Sequence, residues 1–324
     1  MQYILRRLGF YLIALVSAVM IDFLAPRLLP GDPAAVILGQ SSNLTPEQIE
    51  ELRQALGLTN DPLPVQFLSF LGHAVRGDFG ISYSYFPARV TDVIGTGLVW
   101  TLLLGLVALL ISFLLGNLLG IFGAWRRQGV VDTVMPPLLI LIGAFPPFFL
   151  GLAMLYLIAL QMHLLPTSHA FEDTLTPGLS GDYILSVIQH LILPAFVIVL
   201  VSIGGWALGM RNVMVGVLAE DYITMAEAKG LRQNRIMFWY AARNAMLPSV
   251  TGFGIALGFL LSGQILIEQV FSYPGLGFLL VSSVGARDYP LMQGLFLMIT
   301  VAVLLANFIV DVLYTRLDPR VRAG

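Results

Sequence analysis

The sequence has no cysteine, one lysine and four histidines, and only 11% of its residues are charged. Without cysteine there is no disulfide and no thiolate metal site, and the redox compartment leaves no trace. The histidines (His73, His163, His169, His190) include no His-x-x-x-His pair. Gly-x-Ser-x-Gly, His-Glu-x-x-His and Walker-type phosphate loops are missing too. Catalysis within this chain is therefore not expected, and neither is a metal site or a cofactor. A soluble domain carries roughly 25% charge. A chain that is 57% hydrophobic with a mean hydropathy of +0.86 is instead a polytopic membrane protein. Its net charge of −2 is unremarkable, and no nucleic-acid partner is expected.

What is present is a series of apolar runs. Arg6 and Arg7 precede the first, Leu8 to about Leu24. It is longer than a signal-peptide core and lacks a clean Ala-x-Ala site, so it reads as a retained first span. Five more follow at about 96–124, 133–162, 187–210, 247–270 and 290–313, each near the ~20 residues that cross the hydrocarbon core. Pro136-Pro137 and Pro146-Pro147 fall in the third run, where a bend is expected in preference to a moving gate. With the N-terminus inside, twelve basic residues lie on the cytoplasmic side: Arg6, Arg7, Arg126, Arg127, Arg211, Lys229, Arg232, Arg235, Arg243, Arg316, Arg320 and Arg322. Five lie outside: Arg27, Arg53, Arg76, Arg89 and Arg287. The expectation is an all-α membrane protein of six spans with both termini cytoplasmic.

No Asp, Glu, Lys, Arg or His occurs in 95–125, 133–162, 191–210, 245–267 or 291–310. Ion-coupled carriers usually keep ionisable groups near the midplane. A self-contained secondary carrier is thus the weaker reading, although sodium coupling through backbone carbonyls stays open.

Two polar stretches interrupt the runs. Residues 27–93 form a small outer subdomain. There Thr45-Pro46-Glu47-Gln48 reads as a capping box, with Ile49, Leu52 and Leu56 on one helix face. Pro64 opens a second amphipathic segment carrying Val65, Leu68, Leu71 and Ala74. This subdomain is read both as a cover for its own membrane domain and as a docking surface. The second stretch, 213–248, is cytoplasmic. Asp221 is placed to cap a helix from Tyr222 to Lys229, with Glu220 and Asp221 at its positive end and Lys229 at its negative end. Gly230 supplies a left-handed stop. Asn234 is placed to cap a second helix running to Leu247-Pro248. A helix of about eight residues is marginal alone, since isolated helices need ~12 or more. It therefore needs a surface. The small Ala226 and Ala228 suit a protein groove better than the bilayer interface.

This stretch resembles the coupling loop of permease subunits of binding-protein-dependent ABC importers. It departs from the general Glu-Ala-Ala pattern: Thr224 and Met225 fill the first two positions, and 18 residues separate Gly230 from Pro248. The departure is similar to the dipeptide/oligopeptide/nickel group, whose pattern is met by Asp221-Tyr222, Ala226, Ala228-Lys229-Gly230-Leu231 and Arg243-Asn244-Ala245 with Pro248. Further resemblances to that group follow in order. They are Leu29-Pro30-Gly31-Asp32-Pro33-Ala34, Asp61-Pro62-Leu63-Pro64-Val65-Gln66-Phe67, Gly77-Asp78-Phe79-Gly80-x-Ser82-Tyr83, Glu268 to Gly277, Arg287-Asp288-Tyr289-Pro290, and Asp311 to Arg320. The chain is identified as resembling the group's B-type permease.

The resemblance implies the type I ABC importer fold, with the whole chain (1–324) as one transmembrane permease domain in a bacterial or archaeal plasma membrane, surrounded by lipid. It implies a homologous second permease, two ATPase subunits that hold ATP and Mg, and an extracytoplasmic substrate-binding protein. ATPase coupling is expected at Glu220, Asp221, Tyr222, Ala226, Glu227, Ala228, Lys229, Gly230, Leu231 and Pro248. Binding-protein contact is expected at Phe271, Pro274, Gly275, Leu276 and Gly277. The implied cargo is short peptides. Glu227, where many peptide permeases carry Arg, and the departing segment Gly205 to Asn212 keep short oligosaccharides as the alternative.

Overall fold

The computed structural model describes residues 2–28, 61–127, 129–260 and 264–317. The capping box at 45–48, the motif at 29–34 and the tail at 318–320 lie outside the described residues. The architecture is helical, and among the described residues the one β-type pairing is a bridge between Ile81 and Arg89.

In chain order the helices are α1 (Gln2–Leu28), α2 (Leu63–Val75), α3 (Val90–Trp125), α4 (Val130–Gly143) and α5 (Pro147–Met154), the last continued by a π-helical segment, Leu155–Gln161. Next come α6 (Gly181–Val217) and α7 (Asp221–Ala228). A turn, Gln233–Arg235, and a second π-helical segment, Ile236–Ala242, lead directly into α8 (Arg243–Phe259). The chain closes with α9 (Ile265–Val270), α10 (Leu276–Ala286) and α11 (Tyr289–Leu317).

Among the described residues, three single helices are long and apolar enough to cross a membrane: Val90–Trp125, Gly181–Val217 and Tyr289–Ile309. At 36 and 37 residues, α3 and α6 are about 54 Å long at ~1.5 Å per residue, well beyond the ~30 Å hydrocarbon core. Tilt or ends outside the core accommodate the excess length. In α1 the apolar part is Gly9–Ala25.

Two of the expected runs differ in kind. The run at 133–162 is not a gently bent helix. Its halves, Asp132–Gly143 and Pro147–Gln161, meet at 93°. Pro147 has no N–H to donate backwards and forces Pro146 out of the helical region, to φ −59° and ψ 133°. Pro136 and Pro137 stay inside α4. The run at 247–270 is divided between α8 and α9, and Pro248 lies inside α8 instead of starting it.

The packing groups the chain into two compact units. One comprises 1–101, 261–265 and 274–324; the other comprises 102–260 and 266–273.

The first unit has a core of Val90, Ile94, Leu276, Leu279, Leu291 and Leu295. A buried carboxylate organises its polar edge. Asp288 accepts from the Leu291 N–H at 3.1 Å, which caps the first turn of α11. It also accepts from the Ser84 N–H at 2.9 Å and from the Ser82 hydroxyl. The 82–84 loop is thus fastened to the start of the last helix. Burial, with Asp288 and Tyr289 nearby, pushes the Tyr83 phenol upward, so it stays protonated and neutral.

In the second unit α3 and α6 approach closely through Gly116 and Gly120. A Cβ on Gly120 would stand 2.5 Å from the Ala207 carbonyl oxygen and 2.7 Å from the Met210 Cβ. One on Gly116 would stand 2.5 Å from the Trp206 Cβ. Contacts with backbone and Cβ atoms cannot be relieved by a rotamer change. Beside them, Phe113 packs edge-on to Trp206 at 5.2 Å and against Phe253 at 4.7 Å. Overpacking costs about 1–3 kcal/mol or more. Gly120→Leu should therefore lower the melting temperature in detergent by several degrees. Gly209→Ala, where a Cβ meets nothing within 4 Å, should leave it unchanged. Equal melting of the two variants would contradict this packing.

Candidate functional site

The polar stretch between α6 and α8 folds into a short helix and a turn that lead into α8. The helix α7 has eight residues. Its N-cap is Glu220, at φ −77° and ψ 146°, with no side-chain hydrogen bond. Asp221 is the first helical residue. The expected Asp221 cap is thus displaced by one position, and the acidic pair still lies at the positive end of the helix dipole. Its end is a Schellman stop. The Gly230 N–H donates to the Glu227 carbonyl at 2.8 Å, and the Leu231 N–H to the Ala226 carbonyl at 3.3 Å. Gly230 has φ +71°, and a Cβ there would meet nothing within 4 Å. Glycine is needed here for the backbone conformation and not for space.

The chain itself supplies the surface that so short a helix needs. Ile223 and Ala226 are both 3% exposed and join a core of Ile121, Ala124, Met210, Met214, Ile236, Met237, Ala241, Ala242 and Ala245. Burying one Ile side chain contributes roughly 1.5–3 kcal/mol, enough to fix a helix that water alone leaves frayed. The π-helical segment makes this pocket. Its i→i+5 bonding aligns Ile236 with Ala241 and Met237 with Ala242, and all four are buried.

This arrangement corrects one expectation. Ala226 does not offer itself to a partner; it packs inward. The outward face carries Asp221, Tyr222, Thr224, Met225, Glu227, Ala228 and Lys229, with Met225 59% exposed. Leu231 packs against the same core, and Pro248 is exposed on α8. The second helix also starts earlier than expected, at Gln233 behind an Arg232 N-cap, so Asn234 is helical and not a cap.

Two contacts were not legible in the sequence. The Asn244 side-chain amide donates to the Tyr222 hydroxyl at 3.1 Å and to the Tyr240 carbonyl at 2.8 Å, tying α7 to α8. Arg211 Nε donates to Asp132 Oδ1 at 2.6 Å, joining α6 to the start of α4. The only sequence signal for the first is that Tyr222 and Asn244 fall in the same motif.

The residues expected to contact a binding protein are placed differently. Phe271 is 1% exposed and Leu276 0%, and Gly275 and Gly277 are buried. In the second unit the Phe271 carbonyl accepts from the His169 N–H at 3.1 Å. In the first, the Leu276 N–H donates to the Thr101 hydroxyl at 2.7 Å. Pro274 alone of the five is partly exposed. The expectation of an outward-reaching turn is corrected: its apolar residues are core.

The family described as binding-protein-dependent transport system inner membrane component matches residues 116–323. The N-terminal family of the same transport-system membrane components matches residues 1–96. The oligopeptide transport system permease protein AppB of Bacillus subtilis is 34% identical over 319 residues, covering 98% of each chain. The di/tripeptide transport system permease protein DppB of Pseudomonas aeruginosa is 33% identical over 336 residues, and the dipeptide transport system permease protein DppB of Escherichia coli 33% over 340 residues, each covering 99% of both chains.

Placing a non-glycine residue at left-handed φ costs roughly 1–2 kcal/mol. Gly230→Val should therefore speed amide exchange at Gly230 and Leu231 roughly 5- to 30-fold by this cost. Gly230→Asn should do so much less. Unchanged exchange in Gly230→Val would contradict the Schellman stop.

Proposed function

We propose that this chain, which belongs to the family of binding-protein-dependent transport system inner membrane components, forms half of the translocation pathway of an importer of short peptides and couples it to separate ATPase subunits. The observation that carries the coupling role is α7: a short helix pinned from behind by Ile223 and Ala226, capped at Gly230, with a full polar and Met-bearing face turned outward. A helix with its own core behind it transmits a push as a rigid body. Because Gln233–Arg235 and the π-helical segment run without interruption into α8, a displacement of α7 reaches a membrane helix directly.

In this reading two ATPase subunits hold ATP and Mg on the cytoplasmic side and receive α7, and a homologous permease completes the pathway. In this reading the apolar runs give six spans, with the 93° pair counted as one of them, and the charge asymmetry favours both termini in the cytoplasm. A substrate-binding protein meets the outer side of the first unit. Since the Phe271–Gly277 turn is mostly buried, that contact shifts to exposed residues such as Tyr85 and Phe86 (40% and 69% exposed) and Val284 on α10.

Peptide is favoured as cargo because the relatives in hand are named as peptide, oligopeptide or dipeptide permeases. Glu227 no longer argues for oligosaccharide. It lies on the outer face of α7, where it bears on the fit to an ATPase and not on cargo. A secondary carrier would transport in vesicles without any ATPase.

The test is reconstitution of the chain with the second permease, both ATPases and the binding protein. Peptide-loaded binding protein should stimulate ATP hydrolysis and import. Gly230→Val should insert and assemble yet lose import at least tenfold. Normal import by that variant, or import by this chain alone, would overturn the reading.

A further inference from the structure

We propose that the arginine-rich, aromatic surface formed by residues 232–243 is a binding site for the headgroup of an anionic phospholipid. Arg232, Arg235 and Arg243 line an open concavity of about 1130 Å³ together with Phe238, Trp239 and Tyr240. No Asp or Glu lines it, and none of the three arginines has an ion pair among the described residues. Three like charges within twelve residues repel one another, and an anion removes that repulsion.

The same segment has used its small and aliphatic side chains, Ile236, Met237, Ala241 and Ala242, to build the core under α7. Its cationic and aromatic side chains are left outward, with Trp239 69% exposed and Phe238 39% exposed. Depth then selects the ligand. Arg243 is the last charged residue before the uncharged run 245–267, so the cluster sits at the level where headgroups meet hydrocarbon. All three cations are arginine, whose planar fork engages phosphate oxygens two at a time. The single lysine lies elsewhere, at the end of α7. Trp239 and, further along α8, Leu247, each 69% exposed, need apolar cover. The glycerol and acyl part of a lipid provides it, and a free anion does not. The volume exceeds what a single inorganic ion fills.

The proposal rests on reading α8 as membrane-embedded, but not on the coupling role of α7. The test uses the full chain purified in neutral detergent and offered equal amounts of phosphatidylglycerol and phosphatidylcholine, with retained lipid counted by native mass spectrometry. The wild type should retain phosphatidylglycerol at least tenfold over phosphatidylcholine. The triple variant Arg232→Gln, Arg235→Gln, Arg243→Gln should lose that preference, and Arg235→Gln alone should reduce it. Because these side chains are exposed, an unchanged melting temperature is expected and separates loss of the site from loss of fold.

Equal retention of the two lipids, or an undiminished preference in the triple variant, would overturn the proposal. So would complete displacement of the lipid by millimolar inorganic phosphate, which would mark a soluble-anion site. Acrylamide quenching gives a further arm. Shielding of Trp239 in the assembled, lipid-free transporter would show that an acidic protein face covers the patch, and would overturn the lipid assignment. A preference for phosphatidylglycerol that survives in Gly230→Val supports the site even where coupling is gone.

Discussion

The second unit of this protein depends on two side chains, Ile223 and Ala226, pressed into the core beneath α7. Without that burial an eight-residue helix has no reason to persist, and Gly230 would terminate nothing. With it, the helix acquires a fixed inner face and a fixed outer face. The π-helical segment provides the floor by bringing residues five apart onto one side. Asn244 adds a polar tie to Tyr222. The Asp132–Arg211 pair secures the neighbouring end of α6. The site is therefore not a loop that a partner must order. It is a small element already formed within the chain, so little ordering entropy would oppose the docking proposed above.

A second, independent constraint organises the first unit. Asp288 accepts three hydrogen bonds while fully buried, a satisfied arrangement for a group that would otherwise be costly to desolvate. It joins two motifs that lie some two hundred residues apart in sequence, Gly77 to Tyr83 and Arg287 to Pro290. Neither motif announces the other. Both the loop and the cap at α11 rely on one carboxylate.

Much of this was legible beforehand, for local reasons. Helical type, the apolar runs and the stop at Gly230 follow from composition and from a φ that glycine alone adopts cheaply. What was not legible depends on neighbours. Pro136-Pro137 and Pro146-Pro147 are the same dipeptide, yet only the second breaks the helix, because its residues start a new helix where the old one had ended. The direction of Ala226 could not be read from its size: a small residue suits a partner's groove and its own core equally, and Ile223 three positions earlier decides the matter. The same ambiguity applies to the Phe271–Gly277 turn. Apolar residues in a glycine-rich turn serve an interface or an interior, and here the Thr101 hydroxyl and the His169 amide hold the chain inward.

The central claim is that α7 has one face for its own core and the other for a partner. Since the chain has no native cysteine, a single introduced thiol reports on one position alone. The direct measurement is crosslinking from Met225→Cys and from Ile223→Cys to the ATPase subunits of the assembled transporter. The account predicts crosslinking from position 225, which is 59% exposed, and none from position 223, which is 3% exposed. Crosslinking from 223, or none from 225, would contradict it.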